Sequence, residues 1–259
     1  MPLTNLSRMS RILMITAGII ALYLALCVAL WVLQRALIYY PQPRAVESSL
    51  LTLSRPDAQV LVSVREHEGP KALIYFGGNA EDVSRNLPSF SPAFADHALY
   101  FMHYRGYGGS SGAPSEDVIA QDALALFDEV YARHPQVTLV GRSLGSGVAV
   151  RLASQRPASR LVLITPYNSL EELAARQFPI FPVRWLLQDR FESWRYARGI
   201  RVPTLLMAAE NDEVIARSGT LRLFEHFAPG VAVLKVIPGV GHNSISDSAD
   251  YLRLLGDAL

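Results

Sequence analysis

The 259-residue chain has one cysteine, Cys27. It therefore holds no intrachain disulfide and no cysteine-based zinc site. Charge is scarce, at 18% of residues, and the formal net charge is +1. That balance carries no basic footprint, so nucleic acid is not an expected partner. Lysine is almost missing: all basic residues but Lys71 and Lys235 are arginine, which reads as a composition bias. The sequence has no H-E-x-x-H and no G-x-x-x-x-G-K, so the zincin and P-loop readings fall away and no cofactor or metal is expected. Internal repeats are absent, and 17 glycines and 16 prolines are ordinary numbers. Half of the residues are hydrophobic, too many for a disordered chain.

Much of the mean hydropathy of +0.19 comes from the uncharged run 12–33, ILMITAGIIALYLALCVALWVL. As a helix it is roughly 33 Å long, enough to cross a bilayer. A cleaved signal peptide would have a shorter apolar core and a small-residue cleavage site. A surface helix of a soluble domain would have a polar face. The expectation is a single-pass anchor over residues 1–35 and a soluble domain over 36–259. Tyr39 and Tyr40 suit the interface. Arg8 and Arg11 favour a cytoplasmic N-terminus and a domain on the other side, while Arg35 and Arg44 oppose that orientation. Because the run carries no acid–base group apart from Cys27, residues 1–35 are expected to anchor the protein without building a site.

Beyond PQPR (41–44), apolar runs alternate with amphipathic ones. The pattern predicts strands at 60–66, 72–76, 98–104, 137–141, 161–165, 204–208 and 231–237. It predicts helices at 81–87, 114–133, 144–155, 169–177, 214–227 and 246–259. Strands and helices in alternation imply a mostly parallel α/β sheet covered on both faces. The stretch 167–202 is too long for a simple crossover and reads as a small lid carrying Phe178, Phe181, Trp185, Phe191 and Trp194.

G-x-S-x-G occurs twice, at 108–112 and 141–145. Ser143 follows the buried strand pattern VTLVG and precedes a helical pattern, the setting in which a tight turn lifts a serine above a sheet. Ser110 lies in the glycine-rich RGYGGSSGAPS and reads as a loop residue. A serine needs a base, and six histidines are present. His242, in the loop PGVGHNSIS after the last strand, is the expected base. Asp212, in AAENDEVIA, is the expected acid, with Glu210 and Glu213 as neighbours that could be confused with it. Solvated loop acids capping the next helix would read alike. Ser143, Asp212 and His242 follow the chain order serine, acid, histidine. The backbone N–H groups of Asn79, in FGGN, and of Leu144 are the expected donors to an oxyanion. A plain glycine turn after a strand would give the same residues.

The segments LIYYP, YFGGNAED, YRGYGGSSGAPSE, GRSLGSGVA, FPVRWLLQDRF, PTLLMAAENDEVI and GHNSI together resemble the membrane-anchored α/β-hydrolase-domain family, grouped with serine-aminopeptidase-like hydrolases. The likeness runs from about Leu37 to the C-terminus. It implies the α/β-hydrolase fold and hydrolysis of an ester, thioester or lipid acyl group, with a small molecule or lipid as substrate and the membrane as partner. A peptidase or amidase, or a silent scaffold that only binds, would share the fold. Two positions depart from the family pattern. Gly77 stands where histidine is usual, and His103 where aspartate is common before YRGYG.

Overall fold

The computed structural model describes residues 8–258. Residues 1–7 of the expected anchor segment, and Leu259 at the end of the expected last helix, lie outside the described residues. The chain opens with α1 (Arg8–Ile38), three residues longer than the expected anchor segment at its C-terminal end. Its apolar side chains stand exposed along nearly the whole length. Such a surface is favourable in hydrocarbon and costly in water.

Eight strands form one sheet: β1 (Ser49–Arg55), β2 (Ala58–Arg65), β3 (Lys71–Phe76), β4 (Ala98–Met102), β5 (Gln136–Arg142), β6 (Arg160–Ile164), β7 (Thr204–Ala209) and β8 (Ala232–Ile237). Their spatial order is β1-β2-β4-β3-β5-β6-β7-β8. The pairs β1–β2 and β2–β4 are antiparallel, and every later pair is parallel. The expected fold class is therefore observed. Along β3 the side chains alternate between two cores: Ala72, Ile74 and Phe76 face one, Leu73 and Tyr75 the other. The first core takes α3 (Glu116–Tyr131), α4 (Leu144–Ala153) and α8 (Arg217–Glu225); the second takes α2 (Leu87–Ala93) and α9 (Ala249–Asp257). Three short helices, α5 (Leu170–Gln177), α6 (Val183–Leu186) and α7 (Ser193–Ala197), occupy the expected lid.

Three expectations need correction. β1 was not predicted, because it is an edge strand whose only buried residue is Leu53, so it carries no continuous apolar signal. The helix expected at 81–87 is instead a 3-10 turn at Val83–Asn86 followed by α2. Asp82 caps that turn by accepting from Ser84 N–H, and Pro88 suits the first turn of α2. Residues 103 and 104, expected in β4, lie past its end.

The order in which strands are added reverses at β3: β4 lies on one side of it and β5 on the other, both parallel to it. In open α/β sheets, sites form at the carboxyl ends of strands beside such a switch point.

His103 closes β4's loop from within. It is 2% exposed, and its Nε2 lies 2.9 Å from Ser63 Oγ. Burial pulls its pKa down from 6.5 to about 4. The unfolded chain takes up that proton at a higher pH than the folded one, so this part of the stability is present above pH 6.5 and drains away as pH falls through 4. Denaturant unfolding should show a loss of about 2 kcal/mol from this group between roughly pH 7.5 and pH 5. His103→Gln should flatten that slope; an unchanged slope would assign the acid sensitivity elsewhere.

Candidate active site

The turn between β5 and α4 carries Ser143. Its backbone is left-handed, with φ 49°, a region costly for a residue with a Cβ. Its neighbours allow the turn. A Cβ on Gly145 would overlap the Phe76 carbonyl, and one on Gly141 would overlap that of Gly145. Ser143 N–H donates to Ile164 O at 2.9 Å. The Ser143 side chain makes no helix-capping bond, so its hydroxyl is not spent as an N-cap.

The loops after β7 and β8 bring Asp212 and His242 to that hydroxyl. His242 Nε2 is 3.0 Å from Ser143 Oγ, and its Nδ1 is 3.0 Å from both Asp212 oxygens. The His242 and Asp212 side chains are 7% and 4% exposed. A carboxylate only accepts, so Nδ1 carries the proton and Nε2 presents its lone pair to the serine. This line of groups has the geometry to draw a proton from a hydroxyl. Asp212 also accepts from Val214 and Ile215 N–H in the turn before α8. That helix begins at Arg217 without a side-chain cap, so Asp212 is not the helix cap that the alternative reading would make it.

The neighbouring acids have other contacts. Glu213 accepts from His242 N–H at 3.0 Å, and Glu210 from Gly239 N–H at 2.8 Å. The His242 N–H bond lowers the Glu213 pKa. The other five histidines are engaged elsewhere: His67 with Gly69, His97 with Asp96, His103 with Ser63, His134 with Tyr100, and His226 beside Arg198. Ser110 is a loop residue, as expected. Its Oγ donates to His103 O and accepts from Leu61 N–H.

Asn79 lies on the loop after β3, and that loop is tied down at four points. Glu81 accepts from Gly78 N–H at 2.7 Å, Tyr104 donates to Gly77 O at 2.8 Å, and Tyr107 donates to Asn79 O at 2.5 Å. The Asn79 side chain donates to Ile38 O at 2.7 Å. The N–H groups of Asn79 and Leu144 have no acceptor among the described residues. Glu81, Tyr104 and Tyr107 were not singled out by sequence reasoning. Their motifs were visible, but hydroxyl-to-carbonyl bonds across loops leave no periodic signature. Gly77 has a local cause: a Cβ there would overlap Val83.

Ser143, Leu144 and Asn79 share a cavity of about 380 Å³ with apolar residues of the lid and of α1. Leu30 and Gln34 belong to its wall. This corrects the expectation that residues 1–35 build no part of a site. The helical path places these side chains beside the lid, a proximity that hydropathy cannot reveal. The lid aromatics divide. Phe178 and Phe181 line the cavity, Phe191 is buried near α4, Trp194 packs against His226 with the rings tilted by 39°, and Trp185 is 82% exposed. Among the described residues no cluster of metal-ligating side chains occurs.

A family model described as "Serine aminopeptidase, S33" matches residues 78–199. Alpha/beta hydrolase domain-containing protein 17B of Xenopus tropicalis is 30% identical over 219 residues, covering 82% of this chain and 74% of the relative. Lysophosphatidylserine lipase ABHD12 of the same organism is 29% identical over 222 residues, covering 72% of this chain and 57% of the relative. Among solved structures, the Pyrococcus furiosus esterase Pf2001 superposes with a TM-score of 0.68 at 18% identity, covering 85% of this chain and 98% of that one. At that identity the likeness concerns the fold, which is the α/β-hydrolase fold.

Glu81 should matter to any reaction that uses the Asn79 loop. Glu81→Ala strips the acceptor from Gly78 N–H and from the Tyr75 hydroxyl. An unpaired buried donor costs about 1–3 kcal/mol, so kcat/KM should fall roughly tenfold to a hundredfold. Steady-state kinetics on variant shown to be folded by circular dichroism checks this. Wild-type kcat/KM would show that the loop holds its shape without Glu81.

Proposed function

The chain belongs to the α/β-hydrolase domain family, and from that premise we propose that it is a membrane-anchored serine hydrolase cleaving the acyl ester or thioester of a lipid or other acyl-chain substrate. Ser143 Oγ attacks the acyl carbonyl carbon while His242 Nε2 takes its proton. Asp212 orients the imidazole and stabilises its protonated form. The N–H groups of Asn79 and Leu144 receive the developing oxyanion. Collapse of the tetrahedral intermediate breaks the bond to the leaving alcohol or thiol, which takes the proton from His242. Water then attacks the acyl-Ser143 carbonyl, giving its proton to the same nitrogen. The second tetrahedral intermediate breaks its bond to Ser143 Oγ, which takes that proton back from His242 as the acid is released.

The observation that carries this reading is the chain of 3.0 Å contacts from Asp212 through His242 to Ser143, beside an apolar cavity. None of the described side chains lining that cavity is a carboxylate or a cation. A peptidase that selects a free amino terminus needs a counter-charge, and this lining offers none. An uncharged acyl chain suits it. The relative named a lysophosphatidylserine lipase supports a lipid substrate. The length and apolarity of α1 support its role as an anchor, with mean hydropathy 2.6 over its most apolar window.

Fluorophosphonate labelling tests the assignment. Ser143→Ala should abolish labelling and lower turnover by up to about 10⁶, whereas Ser110→Ala should be labelled like wild type. Equal labelling of wild type and Ser143→Ala would remove the serine from its role. Asp212→Asn should fold and lose activity by about 10⁴; Glu210→Gln and Glu213→Gln keep an acceptor oxygen and should be mild. Inactivation by Glu210→Gln alone would move the acid by two residues.

A further inference from the structure

We propose that the tip of the lid, residues 178–183, is inserted in the lipid leaflet beside α1, so that the cavity admits its substrate sideways from the hydrocarbon. The substrate half of this proposal rests on the acyl-hydrolase reading; the insertion does not.

The lid is fastened along α1 at two levels. Near the C-terminal end of the helix, Gln34 donates to Leu186 O at 3.1 Å and accepts from Gln188 N–H at 2.6 Å. Further toward the N-terminus, the Tyr23 ring stacks on Phe181 at 5.7 Å, and the Tyr23 hydroxyl donates to Ile180 O at 2.9 Å. Tyr23 is at the middle of the uncharged run 12–33. From Gln34 to Tyr23 is roughly 16 Å along the helix, about half the thickness of a bilayer core. A helix that crosses the bilayer at Tyr23 therefore takes Ile180 with it.

The chemistry of the tip fits that depth. FPIFPV carries no charge. Pro179 and Pro182 have no N–H to satisfy. Phe178, Phe181 and Val183 donate to carbonyls within α5 or the tip itself, which leaves Ile180 as the one amide of the tip without an acceptor among the described residues. The hydroxyl of Tyr23 and the carbonyl of Ile180 satisfy one another, as groups deprived of water must. Ile180 is nevertheless 73% exposed, an arrangement costly in water and favourable in lipid. Nearer Gln34 the composition changes to that of an interface: Trp31, Trp185, Arg35 and Arg184. Phe178 and Phe181 line the cavity from the lid, and Leu30 lines it from α1, so its outer walls are the two elements assigned to the leaflet.

A nitroxide at Ile180→Cys, in a Cys27→Ser background and with the full chain in phosphatidylcholine vesicles, measures the depth. The expected result is relaxation by oxygen in preference to a water-soluble nickel chelate, matching a label at Leu22→Cys on α1. Nickel-dominated relaxation overturns the insertion. Activity decides the entry route. Ile180→Asp should reduce hydrolysis of a long monoacyl ester embedded in vesicles about tenfold or more beyond any loss on a soluble short ester. Equal loss on both, or no loss on the vesicle substrate, overturns entry from the leaflet. Wild type that cleaves neither ester overturns the acyl-hydrolase reading and the substrate half with it, while the nitroxide still decides the insertion.

Discussion

The close approach of α4's first turn to the end of β3 is the constraint on which the site depends. There is no room for a Cβ at Gly145, because the Phe76 carbonyl already occupies its place. That approach forces the chain at Ser143 into its left-handed turn, and neighbouring groups hold it there. Ser146 Oγ donates to Ser143 O, and the Tyr167 hydroxyl donates to Leu144 O. The same approach sets the loop after β3 beside the serine: a Cβ on Gly78 would lie 3.5 Å from that of Ser143. The hydroxyl and the Asn79 loop thus belong to one packing unit. Widening the gap between α4 and β3 would relax the turn and withdraw that loop together.

α1 is tied into this unit rather than appended to it. The Tyr107 hydroxyl accepts from Tyr40 N–H while donating to Asn79 O, and the Asn79 side chain holds Ile38 O. The end of α1 therefore shares its hydrogen bonds with the loop beside Ser143. The base of the lid is fixed to the same frame. Asp189, 4% exposed, receives Arg35 and the Tyr39 hydroxyl, whose pKa burial raises. Glu116 accepts from Arg190 and Phe191 N–H. Buried charge is stable only when paired and hydrogen-bonded, so the lid's base is held firmly while its apolar tip has α1 as its neighbour.

The parts legible in the sequence were those governed by short-range rules. A buried strand, a tight glycine turn and a helix around Ser143 are a local grammar. Asp212 and His242 were favoured on chain order, serine then acid then histidine, and on their place in loops after readable strands. β1 escaped because an edge strand need not bury its side chains, and the helix at 81–87 was misplaced because Asp82 and Pro88 act on backbone groups rather than on periodicity. The wall contributed by Leu30 and Gln34 was also illegible. Hydropathy reports that a helix is apolar all round, and says nothing about which of its faces meets protein.

The three acids after β7 show how reach divides labour. Glu210 and Glu213 have the longer side chains, and each spans to a backbone N–H of the loop after β8, at Gly239 and at His242. Asp212, one methylene shorter, meets the imidazole ring itself. The loop is thus gripped by its backbone at two points, and the ring is left one choice of partner on each side. Had a glutamate stood at 212, the extra methylene would push the ring away from Ser143 or fold the carboxylate off Nδ1. The spacing of the acids and their lengths act together: two set where the loop lies, and the third sets which nitrogen carries the proton.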